Sequence, residues 1–313
     1  MNKIVWIILF VLGLVAPFVV YPVFMMKLFC FALFACAFNL LLGYTGLLSF
    51  GHAAFFGGAS YVTGHLVKTS GLTPELGVLG GTLFAALLGY IVGSLAIRRQ
   101  GIYFAMVTLA LAQIVYFVAI KAPFTGGEDG LQGIPRGQLF GLIDLNHAYS
   151  VGGSPLGLNL YYFVFVMFCI GFWIIYRTIN SPFGQVLKAI RENEPRAVSL
   201  GYKVERFKLV AFVISAALSG MAGSLKSLVF QLASLTDVSW HTSGEVVLMT
   251  LLGGVGTILG PLVGAFTVVT LQSELSSVGS WITVIIGVTF VICVMLFRRG
   301  LVGELGRLLK KSL

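Results

Sequence analysis

An all-α polytopic membrane domain of about nine or ten transmembrane segments, including one broken or re-entrant helix pair, is what this sequence predicts. Three observations carry the prediction. Of 313 residues, 58% are hydrophobic and only 10% are charged, against roughly 45–50% and about 25% in a soluble domain. The mean hydropathy is +0.99. Apolar runs of about 20 residues, the length that crosses a bilayer core of about 30 Å, follow one another almost end to end. No polar stretch is long enough to build a second, water-facing unit, so 1–313 reads as a single transmembrane domain. A soluble enzyme, a disordered scaffold and a disulfide-stapled secreted module are excluded.

On that template the spans fall near 4–20, 28–42, 47–67, 76–95, 102–122, 160–176, 208–230 and 281–297. The first follows Asn2 and Lys3 and has no small-x-small cleavage pattern behind it, which favours a retained helix over a signal peptide. Arg98 and Arg99 close the fourth span. A loop over 177–207 carries Arg177, Lys188, Arg191, Arg196, Lys203 and Arg206, with Lys208 just beyond it. The tail 298–313 carries Arg298, Arg299, Arg307, Lys310 and Lys311. These regions are cytoplasmic by the positive-inside rule, and both termini go with them. With Lys3, the inner side holds 15 of the 20 Lys and Arg against four acids, a net of +11. The outer side, including a loop over 123–159, holds five against seven, a net of −2, and the two make the +9 of the chain. The basic excess is topological, and a nucleic-acid partner falls with it.

Parity constrains 245–273. The span before it runs outward and the span after it ends at the basic tail, so this segment enters and leaves on the outer face. Its roughly 29 residues are too few for two full spans, and a helix pair broken within 253–261 (GGVGTILGP) is expected. A second glycine-dense break lies over 43–58, and irregular backbone at membrane depth needs protein or a water-filled cavity around it. Two such breaks, one per half, point to a permeation path, with Gly46, Ser49, Phe50, Gly51, His52, Gly253, Gly254 and Gly256 as its candidate lining. The alternative is close helix packing, which is the preferred reading for Gly89/Gly93, Ser215/Ser219/Gly223 and Gly260/Gly264.

Chemistry of the enzymatic kind has little support. The four cysteines, Cys30, Cys36, Cys169 and Cys293, lie inside apolar runs without a C-x-x-C pair, and packing is their expected role. The histidines, His52, His65, His147 and His241, lack metal-site spacing, and His52 is expected to hydrogen-bond structurally at the first break. The run 220–227 (GMAGSLKS) imitates a phosphate loop but has Leu225 where the last glycine must stand, inside an apolar helix. Neither a catalytic residue nor a bound cofactor or metal is expected.

No span carries a charge at mid-depth, where proton-driven carriers commonly place one, so energy coupling is sought elsewhere. In the cytoplasmic loop, Pro182 and Gly184 mark a turn, and 185–191 reads as a short helix with Val186, Leu187 and Ile190 on one face. The helix is interrupted over 192–195 and resumes over 196–200 before Gly201. Such an element either docks on a partner or lies on lipid, and its mixed acidic and basic residues favour a partner.

Over essentially its whole length the chain resembles the LivM/LivH family of ABC-transporter permease subunits for branched-chain amino acids, in its LivM type. The matching motifs are 43–58 (GYTGLLSFGHAAFFGG), 101–109 (GIYFAMVTL), 125–131 (TGGEDGL), 181–202 (SPFGQVLKAIRENEPRAVSLGY), 212–225 (FVISAALSGMAGSL) and 243–264 (SGEVVLMTLLGGVGTILGPLVG). The resemblance implies an importer of leucine, isoleucine and valine in the bacterial inner membrane. Its implied partners are a LivH-like second permease, two LivG/LivF-like ATPases holding ATP and Mg, and an extracytoplasmic amino-acid-binding protein. It also implies a coupling element at Gly184, Ala189, Ile190, Arg191, Glu192, Asn193, Glu194, Arg196, Ala197 and Gly201. The adjacent alanines of the wider EAA…G pattern are missing. Urea or short-amide permeases share the architecture and are the nearer alternative; an autonomous secondary carrier or channel is the further one.

Overall fold

The computed structural model describes residues 10–275 except 140, 142, 147, 148, 152 and 153, together with 284, 285, 287, 288, 291, 295 and 300–308. The first predicted span lies partly outside the described residues and 281–297 largely so, as do Cys293, His147 and several of the basic residues of both termini. Residues 284, 288, 291 and 295 are helical, and their side chains are exposed at a spacing that forms one helix face.

Helix α1 (Pro22–Thr45) begins on a proline at its first turn and ends where Gly46 takes a positive φ of 75°. Then follow α2 (His52–Lys68), α3 (Pro74–Ala96), α4 (Ile102–Lys121) and α5 (Leu158–Ile179). Two short helices, α6 (Pro182–Glu192) and α7 (Glu194–Ser199), lead into α8 (Val204–Phe230). After it come α9 (Trp240–Gly253), α10 (Gly260–Glu274) and α11 (Gly300–Leu308). Five of these, α1, α3, α4, α5 and α8, are long and apolar enough to cross a membrane. α2, α9 and α10 are shorter, at 17, 14 and 15 residues.

Apolar helices of similar composition occupy different depths. In α1 and α8, 72% of the most apolar window is buried within this chain, against 28% in α4. A helix apolar all round belongs in an interior, and here the interior is either protein or lipid. α8 packs against α1, α2 and α3, while α9 and α10 form a hairpin that leans on α1. α5 covers another side of α1, where Phe29 stacks on Phe168 at 5.1 Å between ring centres.

Small residues allow these approaches. A methyl group on Gly223 of α8 would run into the Phe56 carbonyl of α2, and one on Gly264 of α10 would run into the Met249 carbonyl of α9. At Gly93 it would stand 2.9 Å from Leu209 and Phe212. All three expected small-residue sets thus lie at helix contacts.

One expectation needs correction. The third span does not start at 47: residues 46–51 are not helical, because Gly46 ends α1 in the left-handed region and the chain extends to Gly51 before α2. The described residues are mostly helical, as the all-α class expects, with short strands confined to the loops. Among the described residues three two-stranded antiparallel ribbons occur: β1 (Leu131–Gln132) with β6 (Leu232–Ala233), β2 (Gln138–Leu139) with β3 (Ile143–Asp144), and β4 (Tyr149–Val151) with β5 (Ser154–Leu156). A long polar loop must pair its backbone groups somewhere, and β1 does so by clamping the 123–159 loop to the α8–α9 connection.

Candidate functional site: a surface helix tied to two glycine breaks

α6 and α7 are built from local signals. Ser181 caps α6 by accepting from the Gly184 amide at 3.3 Å, and Asn193 caps α7 by accepting from the Arg196 amide at 3.1 Å. Gly201, with φ 87°, ends the pair, and the Tyr202 amide returns to the Ala197 carbonyl at 3.2 Å. Gly184 sits where a methyl group would strike the Thr178 and Ile179 carbonyls.

The apolar stripe of α6 is not offered to a partner, which corrects the reading of Val186, Leu187 and Ile190 as a free docking face. Leu187 and Ile190 are buried, and Ile190 packs with Ala197 and Val204, flanked by Val186 and Phe207. Glu194 is likewise turned onto its own chain, pairing with Lys208 at 2.7 Å. Of the ten residues assigned to coupling, Gly184, Ile190 and Ala197 are buried and Glu194 is half-buried. Ala189, Arg191, Glu192, Asn193, Arg196 and Gly201 are exposed. Sequence reasoning missed Val198, Leu200 and Tyr202, which are 57%, 70% and 43% exposed beside them. Leu200 and Tyr202 line a cavity of about 280 Å³ with Ala189, Asn193 and Arg196. Exposure of apolar residues around a chain-reversing glycine is not encoded by periodicity.

Arg191 joins this element to the membrane helices. Its Nη1 donates to the carbonyl of Gly43, in the last turn of α1. A methyl group on Gly256 would stand 3.1 Å from the same Nη1, and one on Gly46 would stand 3.4 Å from the Arg191 Cγ. One side chain therefore touches both breaks. Nearby, the Lys188 Nζ lies 5.6 Å from the centre of the Tyr44 ring.

The second break, non-helical over 254–259, is held by Asn39 of α1. The Gly256 amide donates to Asn39 Oδ1 and Asn39 Nδ2 donates to the Thr257 carbonyl, each at 2.9 Å. Thr257 Oγ1 donates to the Gly254 carbonyl at 2.8 Å and accepts from the Gly260 amide at 3.1 Å. Backbone groups that leave a helix inside a membrane protein need such partners. Asn39, the lone amide in the 28–42 run, was the available signal and was not singled out.

At the first break His52 is wholly buried. Ser215 Oγ of α8 donates to the Ala37 carbonyl at 2.6 Å, so the contact of 2.9 Å between His52 Nε2 and Ser215 Oγ has the histidine as donor. Phe38, Phe55 and Phe212 stand edge-on around the imidazole. The Ala53 amide donates to Ser243 Oγ at 2.9 Å. Of the assigned path residues, Ser49, Gly51, His52, Gly253 and Gly254 are buried, Phe50 and Gly256 are half-buried and Gly46 is exposed. The run 220–227 lies inside α8, where no phosphate loop forms.

A family model described as the permease component of branched-chain amino acid transport systems matches residues 23–297. The high-affinity branched-chain amino acid transport permease LivM of Escherichia coli is 28% identical over 278 residues, covering 84% of this chain and 65% of that protein. The chain thus spans about two thirds of the length of that relative. A probable LivH permease of Methanocaldococcus jannaschii is 24% identical over 72% of this chain and 70% of its own length. The ribose import permease RbsC of Bacillus subtilis is 29% identical over 49% and 50%. No solved structure matches the chain. With that family match extending from the first turn of α1 almost to the last helix, the chain belongs to the membrane-embedded permease components of the branched-chain amino acid transport family.

Proposed function

We propose that this chain is one transmembrane half of an ATP-driven importer of leucine, isoleucine and valine in the bacterial inner membrane. The observation that carries the reading is the bond from Arg191 to Gly43, beside Gly256. It gives the exposed α6–α7 element a direct hold on both glycine breaks. In this reading an ATPase subunit seats on the face formed by Ala189, Arg196, Leu200 and Tyr202, and its closure moves α6 against the ends of α1 and α9. Partners that bind two states of the bundle unequally are what shift such an equilibrium. The path then passes by Gly46 and Gly256, with the buried breaks as its joints.

The rest of the assembly follows the family: a LivH-like second permease, two ATPases that hold ATP and Mg, and an extracytoplasmic binding protein. The 177–207 loop and both termini face the cytoplasm, the 123–159 loop faces outward, and 1–313 forms one domain with about nine or ten membrane segments. No catalysis is assigned to this chain. Uptake of labelled leucine by proteoliposomes holding the full complex tests the reading. Uptake is expected only with ATP, binding protein and intact Arg191; leucine uptake without nucleotide overturns the ATP-driven mechanism. A sugar importer is the second reading, favoured by the similarity to RbsC. It requires uptake of ribose in place of leucine.

A further inference from the structure

At the end of the bundle opposite α6, four ionisable side chains converge on one cavity. α8 ends with Gln231 at a φ of 54°, and the turn Leu235–Asp237 brings the chain back over its own last turns. Asp237 thereby forms an ion pair with Lys226, with only 5% and 17% of the two side chains exposed. Asp237 Oδ2 remains buried without a hydrogen-bond partner. Around the pair opens a cavity of about 380 Å³ whose walls include Lys27 of α1, Glu245 of α9 and the rings of Phe31 and Phe230. Glu245 Oε1 accepts from Gln272 Nε2 of α10 at 3.2 Å. Among the described residues Lys27 and Glu245 form no ion pair with each other or with another residue.

Two cations and two carboxylates give this cavity no net charge, but only one pair is closed. A half-buried charge that is left outside a closed ion pair is costly. A ligand bearing one anion and one cation removes that cost without adding net charge. Its carboxylate would meet Lys27, its ammonium would meet Glu245 and Asp237 Oδ2, and an apolar side chain would lie on Phe31 and Phe230. A neutral sugar supplies neither charge, and a net anion is opposed by the two carboxylates.

We infer that this cavity binds the zwitterionic head of an α-amino acid, on the side opposite the coupling element. The inference rests on the proposed amino-acid import and names its site within this chain. The test uses the purified permease complex, with labelled leucine as probe and isoamylamine, which lacks the carboxylate, and isocaproate, which lacks the ammonium, as competitors.

Wild-type complex is expected to bind leucine and to discriminate against both analogues by at least about tenfold, the scale of one charged hydrogen bond. Lys27→Gln should abolish discrimination against isoamylamine, and Glu245→Gln should weaken discrimination against isocaproate severalfold, the remainder coming from Asp237. Lys27→Arg and Glu245→Asp should restore each, a pattern that general misfolding does not produce. Unchanged leucine binding and discrimination in both neutral variants overturns the site while wild-type leucine uptake leaves the import reading standing. Wild-type complex that neither binds nor carries any α-amino acid overturns both.

Discussion

The guanidinium of Arg191 donates to the main-chain carbonyl of Gly43, 148 residues away in sequence. Gly43 precedes the first glycine break by one turn, and Gly256 of the second break lies against the same guanidinium. A surface helix thus grips the ends of two membrane helices through a single side chain, where a small shift of α6 is felt by both.

Replacing Arg191 with Ala removes that grip without opening the core, since Leu187 and Ile190 stay buried. A hydrogen bond from a charged donor contributes about 1.5–3 kcal/mol, so ATP-driven uptake is expected to fall roughly tenfold to hundredfold. Lys at this position retains one donor and should lose less. Uptake by reconstituted vesicles, normalised to assembled complex, is the measurement.

Leu200→Glu tests the docking face. Leu200 is 70% exposed and makes no part of the core, so folding should change by no more than about 0.5 kcal/mol. Retention of the ATPase subunits in a pull-down is expected to be lost. Equal retention would remove Leu200 from the interface.

Asn39→Leu leaves the Gly256 amide and the Thr257 carbonyl without the partners they have now. Each unsatisfied group costs about 1–3 kcal/mol. The expected outcome is a lower melting temperature and faster hydrogen exchange at residues 254–259, with Asn39→Asp intermediate because its carboxylate still accepts from Gly256.

His52 and Ser215 hold α1, α2 and α8 together. A double-mutant cycle with His52→Ala and Ser215→Ala should give a coupling of about 0.5–3 kcal/mol in thermal unfolding, as contacting residues do. Additive effects would mean that the two act separately.

Gly223→Ala sets a methyl group against the Phe56 carbonyl. Backbone cannot yield as a flexible side chain does, and overpacking costs about 1–3 kcal/mol. The complex should unfold several degrees lower in detergent, a shift that Gly71→Ala, at an uncrowded turn, would exceed only through strain from its φ of 62°.

What the sequence determined by itself is local in origin. Apolar run length marked the long helices, glycine density marked both breaks, and the clustering of Lys and Arg is what the proposed orientation rests on. Each depends on residues close together along the chain. Tertiary structure decided the rest: that α6 turns Leu187 and Ile190 inward and leaves Leu200 out, that Asn39 closes a break more than 200 residues away, and that Lys27, Lys226, Asp237 and Glu245 share one cavity. An apolar stripe requires burial but does not specify the surface that buries it, and a lone polar residue in a membrane helix requires a partner without naming it. Those choices are made when distant segments pack, because only then does each buried donor or charge meet the one group able to satisfy it.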